Sequence, residues 1–209
     1  GMKTRELVIP ERYKYSQEEL EAIERSYDEE EVRGANPRYW EDVIEGEEIK
    51  PVVKGPLSHS DMVAFMVGIG WEDNAHGLCL NMIRKQPVWG YTDPETGVWE
   101  RMCGIHFVDR IAQNYNHIPL ALDFEIQRVP WFGHLMTNWM GDDGFLKKLD
   151  VVVRDMHFLG DTLWCKGRVI RKYIEDGEHL DDCELWGENQ RDEVISPGSA
   201  TVILPSRAL

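Results

Sequence analysis

The last sixty residues constrain the fold of this chain more than any other stretch. They read "LDVVVRDMHF", "DTLWCKGRVIRKYIE", "HLDDCELWGENQ" and "VISPGSATVILP", four runs rich in β-branched and aromatic residues. Turn residues separate them at Leu159-Gly160-Asp161, Asp176-Gly177, the charged Arg191-Asp192-Glu193 and Pro197-Gly198. Such runs, punctuated this way, predict a four-stranded antiparallel meander. Just before them, "VPWFGHLMTNWMGDDGFLKKL" predicts a helix that "GDDG" stops. Pro130 fits its first turn, and Trp131, Leu135, Met136 and Trp139 supply an apolar face. A helix apolar over so much of its surface belongs at the centre, and a sheet wrapped on it makes an α+β domain.

Composition narrows the function. The 209 residues suffice for one good-sized domain, or at most two small ones. A formal net charge of −15 argues against nucleic acid and anionic membranes as partners, since both need a positive surface. No apolar run approaches the roughly 18 residues of a membrane span. The opening "GMKTRELVIPERYKY" is charged and unlike a signal peptide, so the cytoplasm is the expected compartment. Cys79, Cys103, Cys165 and Cys183 are scattered, with no C-x-x-C pair and no His at ligand spacing. Four reduced, mostly buried thiols are expected, with no metal site and no cofactor.

Earlier in the chain, residues 16 to about 33 predict a helix that opens on the capping box Ser16-x-x-Glu19 and carries Leu20, Ile23 and Tyr27 on one face. Its other face, nearly all acidic, reads as solvated surface, and residues 1–37 read as a helical extension to a domain spanning 38–209. "EEIKPVVKGPL" is extended and interrupted by Pro51 and Pro56. Ser58 or Ser60 then caps a second helix with Asp61 in its first turn and a Met62, Phe65, Met66 stripe. Residues 81–119 are the least regular, with a hairpin tip at Asp93-Pro94 and Gly97.

The second helix runs into "GWEDNAHG", Gly70 to Gly77, which gathers two carboxylates, an amide and an imidazole. In one reading His76 and Asp73 (or Glu72) flank a water and move protons. Three residues apart, the two can face the same way. In the other, His76 is a satisfied loop residue and Asp73 caps a helix through Leu78, Leu80 and Met82. His134, beside apolar neighbours, reads as a core imidazole, and His117 near Asp123 and Glu125 as a looser candidate. Asn138 and Asn189 suit side-chain bonds that fix loops. Lys147, Lys148, Arg154, Arg168 and Arg171 are either a phosphate-binding set or a solvated strand face. Trp71, Trp89, Trp99, Trp131 and Trp139, which gather outside the meander, are either a tunnel for an acyl or polycyclic group or plain core.

Three segments carry a resemblance. "MHFLGDTLWCKGRVI" resembles the "pGDtL…GrV" segment of MaoC-like dehydratases, and "ENQRDEVISPGSATVILP" resembles the same family's ending. "WFGHLMTNWMGDDGFLKKL" is similar to the matching segment in a bacterial branch of acyl dehydratases. Together they cover roughly residues 38–206. The resemblance implies a hot-dog fold, a sheet wrapped around a central helix, and hydration or dehydration of a 2-enoyl thioester of CoA. It also implies a homodimer or an assembly of dimers. The family's G-D-x-N-P-x-H motif places its His on His76, while its Asp falls on Trp71, its Asn on Asp73 and its Pro on Asn74. The residues implied in catalysis are thus His76 and Asp73, and those near substrate Trp71, Asn74, Glu125 and Trp131. No Gly lies between Leu120 and Trp131, where many hot-dog enzymes aim a backbone N–H at the thioester. Two other readings stay open. One is a silent hot-dog subunit paired with an active MaoC-like chain; the other is a hot-dog thioesterase.

Overall fold

The computed structural model describes residues 7–70 and 75–207 of the chain. In chain order its elements are α1 (Gln17–Asp28), β1 (Glu48–Lys54), α2 (His59–Gly68), α3 (His76–Lys85), β2 (Gly90–Thr92), β3 (Trp99–Arg101), α4 (Asp109–Asn116), α5 (Arg128–Met140), β4 (Phe145–Val151), β5 (Leu163–Glu175), β6 (Glu178–Asn189) and β7 (Val194–Ile203). Two units emerge. One holds residues 14–56, 125–157 and 161–207; the other holds 7–13, 57–124 and 158–160.

The larger unit is a five-stranded antiparallel sheet in the order β1-β5-β6-β7-β4, with α5 packed on it. The helix meets the sheet through Phe132, Leu135, Met136, Trp139 and Met140, a spacing that keeps one face turned inward through every turn. Ile49, Val52, Leu163, Cys165, Val169, Cys183, Leu185, Ala200 and Val202 receive it. The expected central helix is therefore present, with Phe132 and Met140 added to its face. "FLKKL", which follows the "GDDG" stop, opens β4.

The expected meander holds for β5-β6-β7 and fails for the strand before them. Asp176 and Gly177 both have positive φ (52° and 80°), and the Glu175–Glu178 pair closes a two-residue turn. The next connection, residues 190–193, is also short. Residues 152–162, by contrast, are too many for a tight hairpin, and they let β4 reach the far edge beside β7. The place next to β5 goes to β1, whose register slips between Ile49 and Val52, at Pro51. A proline with no N–H to donate is tolerated at such an edge bulge. At the other edge Gly198 comes so close to β4 that a Cβ there would lie 2.6 Å from the Asp150 carbonyl oxygen.

The expected capping box forms at Ser16/Glu19, and of the two candidate caps for α2 it is Ser58 that serves, in a second box with Asp61. The chain after α1 caps α5: the Arg33 amide donates to the Asn138 carbonyl (3.2 Å) and Arg33 Nε to that of Trp139 (3.1 Å). At the opposite end Arg128, fully buried, donates to the Asp155 carbonyl (2.8 Å) and Ser196 Oγ (2.9 Å). All four cysteines are buried and none forms a disulfide with another described residue. Asn189 holds the β6–β7 turn, accepting from the Arg191 and Glu193 amides at 2.8 and 3.1 Å. Among the described residues no helix is long and apolar enough to cross a membrane, and no cluster suits a metal ion.

The smaller unit packs Phe65 of α2, His106 and Phe107 around Phe124, with ring centroids 5.8, 4.1 and 5.9 Å from it. A second cluster joins Tyr91, Ile105, Ile111 and Ala112. The expected hairpin tip is the β2–β3 turn, where Asp93 accepts the amides of Thr96 (3.0 Å) and Glu95 (2.9 Å). Those bonds, the Thr96 one foremost, and the neighbouring Arg110 hold the Asp93 carboxyl below the usual carboxylate range. Helix α4 lies inside the stretch read as irregular. Its turn-rich flanks and eight-residue length hide its period.

One group in the core of the larger unit is ill at ease. Asp181 is fully buried and neither carboxylate oxygen has a hydrogen bond among the described residues. Its cationic neighbours are engaged elsewhere, Lys172 with the Val43 carbonyl and the Trp40 ring, Arg38 with Glu47 and the Trp139 ring. Burial pushes its acid up to about 7, against the opposing pull of Lys172 and Arg38. A carboxyl whose folded pKa exceeds its unfolded value costs nothing at pH 3 and destabilises progressively as pH rises toward 7. Asp181→Asn should therefore flatten the decline of stability between about pH 4 and 7 and add about 1–3 kcal/mol at pH 8. Urea denaturation at a series of pH values measures this. In the same assay Leu135→Ala, which empties the centre of the α5 interface, should lose about 2–5 kcal/mol.

Candidate functional site

Helix α2 starts at its Ser58 cap and is fixed by buried Met62 and by Phe65. It ends near Gly70, with φ of +66°, and so delivers the chain to the stretch that carries the candidate acid and base. Trp71, Asp73 and Asn74, with Glu72, lie outside the described residues. The chain re-enters at Ala75, and α3 begins at His76. Its N-cap is Ala75, which has no polar side chain, so no side-chain cap bond is made. The Leu78 and Cys79 amides bond to the Ala75 carbonyl, at 3.1 and 3.4 Å.

His76 itself has φ of +51°, a left-handed conformation that a non-glycine residue adopts at a cost. Its side chain is exposed, and among the described residues it has no hydrogen-bond partner. His59 Nε2, by contrast, lies 3.0 Å from the Phe107 carbonyl oxygen, and His106 Nδ1 lies 3.1 and 3.0 Å from those of Leu122 and Asp123. His117, the looser candidate, is an exposed left-handed residue closing α4.

Beside α2 the same unit has an apolar cleft of about 330 Å³. Val63, Met66 and Val67 form one wall, and Cys103, Phe107 and Val108 the other, with Glu100 and Arg101 of β3 also lining it. Helix α3 packs on that same strand, so the helices before and after "GWEDNAHG" both border the β3 segment.

In the larger unit Glu125 is exposed in a single 3-10 turn that leads into α5, and Trp131 is half-buried on the helix, edge-on to the His157 ring at 5.8 Å. Trp139 belongs to the buried cluster. The basic residues weighed as a phosphate set are mostly spoken for. Lys147 pairs with Glu178, Lys148 with Asp150 and Arg168 with Glu184, while Arg171 covers the Tyr173 ring. They behave as a solvated strand face.

Sequence reasoning missed one arrangement in this unit. Lys54 Nζ lies 2.5 Å from His134 Nδ1, and His134 Nε2 lies 2.9 Å from Glu30 Oε1. Asn138 Nδ2 donates to that same Glu30 oxygen at 2.9 Å. His134 is thus a bridge between two charged side chains rather than a core imidazole bonded to backbone. The signal available in the sequence was only the i, i+4 spacing of His134 and Asn138, which places both on one helix face.

No protein-family model matches the sequence, and no curated protein matches it. Solved structures do match. The R-hydratase PhaJ1 of Pseudomonas aeruginosa, in its unliganded form, aligns with TM-score 0.58 at 10% identity, over 81% of this chain and 86% of that one. A MaoC-like dehydratase of Rhodospirillum rubrum aligns with TM-score 0.56 at 15% identity, over 82% and 99%. A Mycobacterium tuberculosis protein described as a double hotdog fold aligns with TM-score 0.50 at 13% identity, over 82% of this chain and 45% of that one. At such identities the likeness is one of architecture, and on that ground this chain has the hot-dog fold.

Proposed function

We propose that the chain is a hot-dog acyl-thioester hydratase or dehydratase, adding water to a 2-enoyl-CoA or removing it, with His76 and Asp73 as its acid–base pair. The observation that carries this reading is His76: a strained, exposed imidazole with no hydrogen bond to another described residue, after the exit of α2, in the place of the histidine of the hydratase motif. A neutral imidazole there takes a proton from water, whose oxygen attacks the β carbon. The double-bond electrons move toward the thioester oxygen, and a proton delivered to the α carbon completes the addition. The nearby Asp73 carboxylate would hold the imidazole in one tautomer. Trp71 and Asn74, of the same stretch, would border the substrate. The hydratase and the dehydratase among the structural neighbours support the reaction class. Within this reading the active form is a dimer, which sedimentation equilibrium would show.

One feature favours a second reading. Trp71 stands at the motif's Asp position, and a chain that has lost its acid there would serve as the silent partner of an active hot-dog subunit.

The test is loss of the enoyl-thioester absorbance with crotonyl-CoA and longer 2-enoyl-CoAs. Wild type should turn over, and His76→Ala should reduce kcat by about 10²–10⁴ without loss of fold, the range typical of a general acid–base group. Asp73→Asn should lower kcat as well. Folded wild-type protein without turnover would overturn the enzyme reading and favour the silent one.

A further inference from the structure

The helix read as a mere extension of the fold brings two side chains to one spot in the larger unit. Tyr27, in the last turn of α1, holds the end of β1: its hydroxyl donates to the Gly55 carbonyl (2.8 Å) and accepts the Gly55 amide (2.9 Å). Three residues on, Glu30 reaches His134 and Asn138 of α5. Between them lies Lys54, on the face of β1 that looks toward α5. Three elements thus assemble a line of amine, imidazole and carboxylate.

The roles along it follow from the atoms. An ammonium has only donors, so His134 Nδ1 must accept, and Nε2–H donates to Glu30. Glu30 is thereby kept one imidazole away from Lys54 instead of pairing with it directly. Burial holds the Lys54 amine below the usual lysine range, outweighing the opposing pull of Cys165 and of Glu30. The pull of Cys165 is small at neutral pH, because burial pushes its thiol up to about 12 and keeps it protonated. A directly paired lysine would be driven the other way, as Lys147 is by Glu178.

From this geometry we infer that Lys54 is a nucleophilic amine, deprotonated through His134 and Glu30, that forms an imine with a small aldehyde or ketone. The ammonium passes a proton to His134 Nδ1, and Glu30 balances the imidazolium. The amine lone pair forms a C–N bond to the carbonyl carbon while the C=O π pair moves to oxygen, which takes up that proton. Loss of water then leaves a protonated imine: ammonium plus carbonyl gives iminium plus water, with no oxidant or reductant required. Reactive lysines are commonly desolvated in this way, and each unit by which an amine's pKa falls gives about tenfold more free amine at neutral pH.

The experiment is reductive trapping on the full chain. Acetaldehyde with cyanoborohydride is added at pH 6 to 10, and alkylation of each lysine is followed by peptide mass spectrometry. Lys54 should react about tenfold faster at pH 7 than exposed Lys147 and Lys148, and its rate should reach half-maximum at lower pH. Glu30→Gln, isosteric and still able to accept from Asn138, should abolish most of that advantage, and the profile in wild type alone needs no variant. A Lys54 rate equal to or below those of the exposed lysines would overturn the inference, and so would an unchanged rate in Glu30→Gln. Neither result depends on enoyl-thioester turnover.

Discussion

Everything in the larger unit depends on how one stripe of α5 sits in the sheet. Phe132, Leu135, Met136, Trp139 and Met140 are the side chains through which β1, β5, β6 and β7 share a single buried interior. Such an interface is close-packed, so each sheet residue is chosen by what α5 leaves room for. Gly167 shows it: a Cβ there would lie 2.8 Å from Leu185 and 3.1 Å from Ile49, both core side chains. The polar groups at the two ends of the helix, Arg128 at its start and Arg33 at its exit, satisfy backbone and hydroxyl acceptors that the packing would otherwise bury unpaired.

Where the sequence was legible, a short-range rule carried the information. The Asp176-Gly177 turn, the two capping boxes, Pro51 at an edge and the apolar period of α5 each depend on residues within a few positions of one another. The place of β4 does not. Which edge it occupies is decided by a long connection and by the competing claim of β1 on β5, and neither leaves a local mark. Helix α4 was hidden for a different reason, since eight residues give barely two turns of period. Of the candidate site, motif spacing singles out His76 but carries no sign of its left-handed backbone. The Lys54–His134–Glu30 line was out of reach altogether, because it joins positions 30, 54 and 134 through folding alone.

The two imidazoles at the centre of the functional arguments differ in a way that chemistry can use. His76 is exposed at a helix start, and its ring is free among the described residues to take whatever approaches. His134 is engaged on both nitrogens and fixed to one tautomer by the amine on one side and the carboxylate on the other. A group of the first kind suits catalysis on an incoming molecule. A group of the second kind suits the relay of charge between fixed side chains.

The order of the chain through its units also bears on how the protein is made. β1 pairs with β5 across more than a hundred residues, Glu48 against Arg168. The whole of α2, α3 and α4 is synthesised between them. The β5-β6-β7 hairpins close over two and four residues, so they can form as soon as they emerge, whereas β1 must wait for a partner near the end of the chain. Contacts of such separation slow folding. Until β5 arrives, β1 is an unpaired edge with Val52 and Val53 uncovered, and the interruption at Pro51 then acts as a guard, since a strand that cannot offer a continuous row of N–H groups is a poor template for pairing with a neighbouring nascent chain.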